Sequence, residues 1–212
     1  MNQFLKELKY SLFLSTHPMK GFWEIKHEKE GSFRTGMVIL GLCIGVTILN
    51  NFFNGYLFNT SGGVYYNFAN TIATVLVLYL FWCISNWCLT CLNDGEGKFV
   101  DILTATAYAM TPYVIIQFIL IFLSNFFTLR EKAFYEMLNN LSYVWSGGLV
   151  FFGSLATHRY SLLKNIVVCI ATIIGMAVMA YISLLFFNLL QQMLGFVSIL
   201  SDEIYLRLIW NS

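Results

Sequence analysis

The chain has 212 residues, of which 58% are hydrophobic and only 11% charged, with a formal net charge of +1. Soluble domains carry about 25% charged residues, so this inventory cannot cover a water-facing surface, and lipid must take the place of water over most of the outside. The near-neutral charge excludes a polyanion partner such as nucleic acid, and apolar runs that are continuous rather than alternating exclude a membrane β-barrel.

The first 33 residues hold no long apolar core and no small-residue cleavage site, so no cleaved signal peptide is expected and the first span acts as its own insertion signal. Within this N-terminal segment, Gln3 to Leu14 places Phe4, Leu5, Leu8 and Leu12 on one helical face, with Lys6, Glu7 and Lys9 elsewhere. Such a helix is expected at the membrane interface, lying in its plane.

Five segments then reach the roughly 20 apolar residues that a crossing needs. They run from about Arg34 to Phe53, Phe68 to Leu92, Phe99 to Leu123, Met137 to Ala156 and Leu163 to Phe187. The first carries Gly41 and Gly45 as G-x-x-x-G, small residues that let helices approach closely in lipid. Their reading is helix packing, within the same bundle in preference to a seam with a second copy. The second and third spans are joined by Asn93-Asp94-Gly95-Glu96-Gly97-Lys98, a reversal that makes them an antiparallel hairpin. Cys88 and Cys91 form C-x-x-C without a second pair or a nearby histidine, so all five cysteines read as inert apolar residues.

Asp101, two residues into the third span, suits the positive N-terminal end of its helix. Pro112 removes a backbone donor in mid-span and should kink the helix, with Thr111, or Thr106 with its neighbours, able to help satisfy the freed carbonyl. The fourth span ends in a polar turn with His158, Arg159, Ser161 and Lys164. Opposite charges on this turn and on Asp94, Glu96 and Asp101 predict an ion-pair cluster or a docking surface at one end of the bundle. Beyond the fifth span, polar residues at Asn188, Gln191, Gln192, Gly195, Ser198, Ser201 and Asp202 trace one stripe of a helix, an amphipathic C-terminal tail over 188–212 that either prolongs the span or lies on the outer surface. Asn59-Thr60-Ser61 and Asn140-Leu141-Ser142 match the glycosylation pattern.

Orientation follows from Lys and Arg. Lys6, Lys9, Lys20, Lys26, Lys29, Arg34, Lys98, Arg159 and Lys164 lie on one side of a five-span topology, and Arg130, Lys132 and Arg207 on the other. This places the N-terminus in the cytoplasm and the C-terminus outside.

The stretch Asp94-Gly95-Glu96-Gly97-Lys98-Phe99, then Asp101-Ile102-Leu103 and Ala107 to Tyr113 with Tyr108 four residues before Pro112, resembles the signature of Yip-family membrane proteins. Val144-Trp145, Gly153, His158, Ser161 and Lys164 resemble the family's fourth span and following turn. His17-Pro18, Gly21-Phe22 and Ile25-Lys26 resemble the opening segment of its bacterial branch. The resemblance implies an all-α bundle of five transmembrane helices over 34–187, N-terminus inside. Eukaryotic relatives bind Rab-type GTPases and take part in vesicle traffic; their long cytosolic N-terminal region has no counterpart in this sequence, so GTPase binding is not expected here. Bacterial members are often encoded among carbohydrate ABC-transporter components.

The expected function is a non-enzymatic scaffold or accessory protein of the cell membrane, whose partners are the lipid bilayer and other membrane proteins, ABC-transporter subunits among them, with room for a homo-oligomer. No cofactor, metal or catalytic residue is expected, since no nucleophile, metal or phosphate-binding motif occurs. A small homo-oligomeric transporter or channel is the alternative, which needs a watery path past Asn86, Gln117 and Asp101. A lipid-modifying enzyme is the third reading, and needs Asp94, Asp101 and His158 to converge.

Overall fold

The computed structural model describes residues 2–28, 31–55, 67–92 and 95–210. Their regular structure is helical: α1 (Asn2–Thr16), α2 (Pro18–His27), α3 (Phe33–Phe53), α4 (Phe68–Leu92), α5 (Phe99–Ala109), α6 (Thr111–Leu123), α7 (Lys132–His158) and α8 (Leu162–Trp210), with a short 3-10 turn at Leu129–Glu131. Among the described residues, four stretches are long and apolar enough to cross a membrane: Phe33–Phe53, Phe68–Cys91, Phe99–Leu123 and Leu162–Ser201. The chain is therefore an all-α membrane bundle. The expected fourth span falls on α7, whose 27 residues give the length. Its apolar density is lower because a polar stripe interrupts it. Tyr135, Ser142, Ser146, Leu149 and Gly153, spaced by helical turns, are its buried face.

The third span is two helices. α5 stops at Met110 and α6 begins at Thr111-Pro112. Pro112 cannot donate to the carbonyl four residues earlier, that of Tyr108, and the Thr111 hydroxyl donates to that oxygen instead at 2.7 Å. The hydroxyl thus meets the acceptor that the proline frees.

α3 runs alongside α5 and α6 in the same direction, with Gly36 against Ala107 at one end and Asn50 bonded to Gln117 further along. α7 returns antiparallel, its Ser146 hydroxyl accepting from the Tyr113 amide and its Ser142 from Gln117. Gln117 is fully buried and ties three helices together. Its Oε1 accepts from Asn50 at 2.8 Å, and its Nε2 donates to Asn139 at 2.6 Å and Ser142 at 3.0 Å. α4 pairs with α8 through Ser85 and Asn86, which donate to Thr172.

The N-terminal helices stand lengthwise against α7. The Trp145 indole donates to the Ser15 carbonyl, Phe22 packs on Gly153 and Lys26 reaches the Thr157 carbonyl. Those contacts run from Trp145 to Thr157 of α7, about 18 Å of helix. The face that α1 turns inward differs from the apolar one expected. Glu7, Ser11 and Leu14 are buried, whereas Leu12 is exposed, because Glu7 accepts from Ser32 at 2.5 Å and from the Thr35 hydroxyl at the start of α3. The side chains of Phe4 and Leu5 lie outside the description.

Gly41 and Gly45 do not serve packing within the bundle. A Cβ at either would meet no atom within 4 Å, so the G-x-x-x-G face looks outward. The C-terminal tail continues α8 without a break, giving a helix of 49 residues, about 74 Å long. Asn140-Leu141-Ser142 lies inside α7 with Ser142 fully buried, out of reach of a modifying enzyme; Asn59-Thr60-Ser61 falls outside the described residues.

Replacing Gln117 with Leu strands the amide of Asn50 and the polar groups of α7. Thermal unfolding in detergent should register a loss of about 1–2 kcal/mol. An unchanged melting temperature would show that the network contributes nothing.

Candidate functional site at the polar end of the bundle

The end of the bundle that collects the α4–α5 turn, the C-terminus of α7 and the end of α2 holds most of the residues singled out in the sequence. The turn folds down onto the α7 terminus. A Cβ on Gly97 would lie 2.7 Å from His158 Cε1 and 2.8 Å from Thr157 Cγ2, and one on Gly95 would strike Thr90 and the Tyr160 hydroxyl. Glycine at both positions lets backbone lie directly on the imidazole.

His158 is buried, 2% exposed, and stacked on Tyr160 at 5.2 Å. Its Nε2 sits 2.8 Å from the Asn86 side-chain oxygen. An amide oxygen only accepts, so Nε2 carries the proton. Nδ1 is left as a buried acceptor facing the glycines, without a hydrogen-bond partner. Burial first, and the Lys26 charge second, push the His158 pKa down to about 4, with Asp101 opposing. His158 is therefore a neutral wedge between α4, α7 and the glycine turn.

Around this wedge lies a charged rim. Glu96, half exposed, pairs with Arg159 at 3.3 Å and with Lys26 at 4.0 Å. The Lys26 ammonium also donates to the Thr157 carbonyl at 2.6 Å, closing the C-terminus of α7 at the negative end of its dipole. Burial lowers the pKa of Lys26, and Glu96 offsets part of that. Arg159 adopts the left-handed conformation, φ 54°, that turns the chain out of α7, and its guanidinium touches the His27 ring. Lys164 lies 4.8 Å over the Tyr160 ring.

Asp101 accepts from the Lys98 amide at 3.2 Å and caps α5, as its position suggested. Asp94 lies outside the described residues. Tyr108, Pro112 and Trp145 belong elsewhere: Tyr108 is fully buried in the core with Phe22 and Ile25, Pro112 marks the α5–α6 break, and Trp145 holds α1. Sequence reasoning missed Lys26 as a member of this cluster and Asn86 as its tie to α4. The only sign of Lys26 was its place in the Ile25-Lys26 pair. Among the described residues no group of three His, Cys, Asp or Glu could hold a metal ion, and all five cysteines are free.

The model of the Yip1 domain matches residues 12–185, from within α1 through the apolar half of α8. The chain belongs to the Yip1-domain family. No curated protein and no solved structure matches it. The matched region takes in both faces of the cluster, Lys26 and His27 at one edge and the glycine turn with His158 and Arg159 at the other. The match thus includes α2 and the last turn of α1.

Two outcomes follow. Gly97→Ala drives a methyl into the imidazole and should cost about 1–3 kcal/mol in thermal unfolding. Acidification should also destabilise the fold through His158. The unfolded chain takes up its proton near pH 6.5, while the folded chain resists until about pH 4. Stability is then independent of this group above pH 6.5 and falls between 6.5 and 4, by up to about 3 kcal/mol. Melting curves at pH 7 and pH 5 should separate more for the native chain than for His158→Gln; equal separation refutes the assignment.

Proposed function

We propose that this Yip1-domain protein is a non-enzymatic, multi-pass scaffold or accessory subunit of the cell membrane that binds other membrane proteins. In this reading α3, α4, α5–α6, α7 and α8 each cross the bilayer, the polar end faces the cytoplasm, and the C-terminus lies outside. The distribution of Lys and Arg supports that orientation.

The observation that carries the reading is the charged rim. Glu96, Arg159 and Lys26 come from three separate chain segments and are fixed against a rigid mount of glycine backbone on His158. Glu96 and Arg159 remain more than half exposed, so the fold holds charges of both signs at one end without burying them. That is the form of a surface that sets a partner's register by charge complementarity. The partner class most consistent with the resemblance to bacterial members is a membrane component of a carbohydrate ABC transporter.

The transporter or channel reading finds less support. Asn86 and Gln117 are buried and spend their amides on neighbouring helices. Asp101 is engaged as a helix cap. An enzyme built on His158 would have to act through a ring sealed under Gly95 and Gly97.

Gentle detergent extraction followed by mass spectrometry tests the scaffold. The native chain should copurify with a defined set of membrane proteins. Glu96→Gln should lose most of that set at a melting temperature lowered only slightly, because the Arg159 pair it breaks is exposed and contributes little to stability and the Lys26 ammonium keeps the Thr157 carbonyl. A native chain that extracts free of partners overturns the proposal.

A further inference from the structure

Inside the bundle, between α4 and α8 on one side and α3, α5–α6 and α7 on the other, lies a cavity of about 660 Å³. Its wall includes Cys43, Thr47, Tyr79, Trp82, Tyr113 and Cys169. Counted along the helices, Cys43 lies eleven residues beyond Ser32, Thr106 seven beyond Phe99 and Cys169 seven beyond Leu162, so the cavity starts about 10–16 Å in from the polar end. In a hydrocarbon layer of about 30 Å, that is the middle. The rim opens sideways, where Leu78, Tyr143 and Ile173 are each more than half exposed.

A space of this size does not stay empty in a close-packed interior. Water cannot fill it stably, because water needs two to four polar partners, the wall is predominantly apolar and several of its hydroxyls are engaged with protein groups. The Tyr79 hydroxyl donates to the Leu103 carbonyl at 2.7 Å. The Thr47 hydroxyl donates to Cys43 and meets the Tyr113 hydroxyl at 3.2 Å. Ser146 accepts from the Tyr113 amide. A lateral mouth at the bilayer midplane admits neither headgroups nor soluble solutes. We infer that the cavity between α4, α7 and α8 is a binding site for one acyl chain of a membrane phospholipid, which enters sideways past Tyr143 and Ile173.

Gly147 supplies a clean test. It lines the cavity, and a Cβ there would meet nothing within 4 Å, so a bulky residue fills the space without displacing a neighbour. The full chain, in mild detergent with a phosphatidylethanolamine–phosphatidylglycerol mixture, is to be followed by native mass spectrometry. The native protein should hold one phospholipid through delipidation, Gly147→Phe should cut that occupancy roughly tenfold, and Gly195→Phe, on the outward face of α8, should leave it unchanged. A native chain that carries no lipid, or a Gly147→Phe chain that carries as much, overturns the proposal. A phospholipid with a mid-chain diazirine gives a second readout on the native chain alone. Adducts should concentrate on cavity residues such as Tyr79 and Tyr113, whereas adducts spread along the exposed α8 face over 178–197 refute it.

Discussion

Polar groups between the helix ends gain most from partners inside the bundle, because hydrocarbon offers none. This constraint explains the internal chemistry of the chain. Thr111 replaces the donor that Pro112 lacks. Gln117 spends both ends of its amide on α3 and α7. Asn86 links α4 to α7 through His158 and to α8 through Thr172. Hydrophobicity cannot choose among helix pairings in lipid, since the surroundings are as apolar as the side chains. The polar ties make that choice, and they are few enough for each to specify one pairing.

The same constraint gives the N-terminal hairpin its place. Glu7 is a carboxylate turned toward the core, tolerated because hydroxyls of Ser32 and Thr35 meet it. Lys26 is held at the other end of the hairpin by the Thr157 carbonyl of α7 and by Glu96. The hairpin is fastened at both ends by charge and in the middle by the contact of Phe22 with Gly153. What the polar end presents to the outside depends on how those anchors fix it.

Much of this was legible in the sequence. Apolar run length placed α3 and α4 within a residue of their limits, and Pro112 announced the α5–α6 break. Opposite charges on two turns foretold the cluster that Glu96 and Arg159 form. The inward faces of the helices were not legible. In a water-soluble helix the apolar face points in, and period alone reveals it. Here lipid rewards apolar residues outside, so the buried faces carry Ser142, Ser146 and Glu7 while Val144 and Leu12 look out. Gly41 and Gly45 misled for the same reason: small residues fit a seam anywhere, and spacing does not say which neighbour fills it.

In α8 the mismatch between helix length and hydrocarbon depth is largest. Its apolar stretch, Leu162–Ser201, is 40 residues long, about 60 Å against a hydrocarbon layer of about 30 Å. Tilt accommodates a mismatch of a few ångströms, not a doubling. The two halves of α8 therefore cannot share one environment. The first half is matched to the bundle by Asn165, which donates to the Phe151 carbonyl, and by Thr172. The second begins where Asn188, Gln192 and Ser198 line one side and Leu189, Phe196 and Val197 stay exposed on the rest. Because α8 is unbroken, the segment past Asn188 extends beyond the roughly 30 Å that one hydrocarbon layer covers, and its division into a polar and an apolar side suits surroundings that are themselves divided.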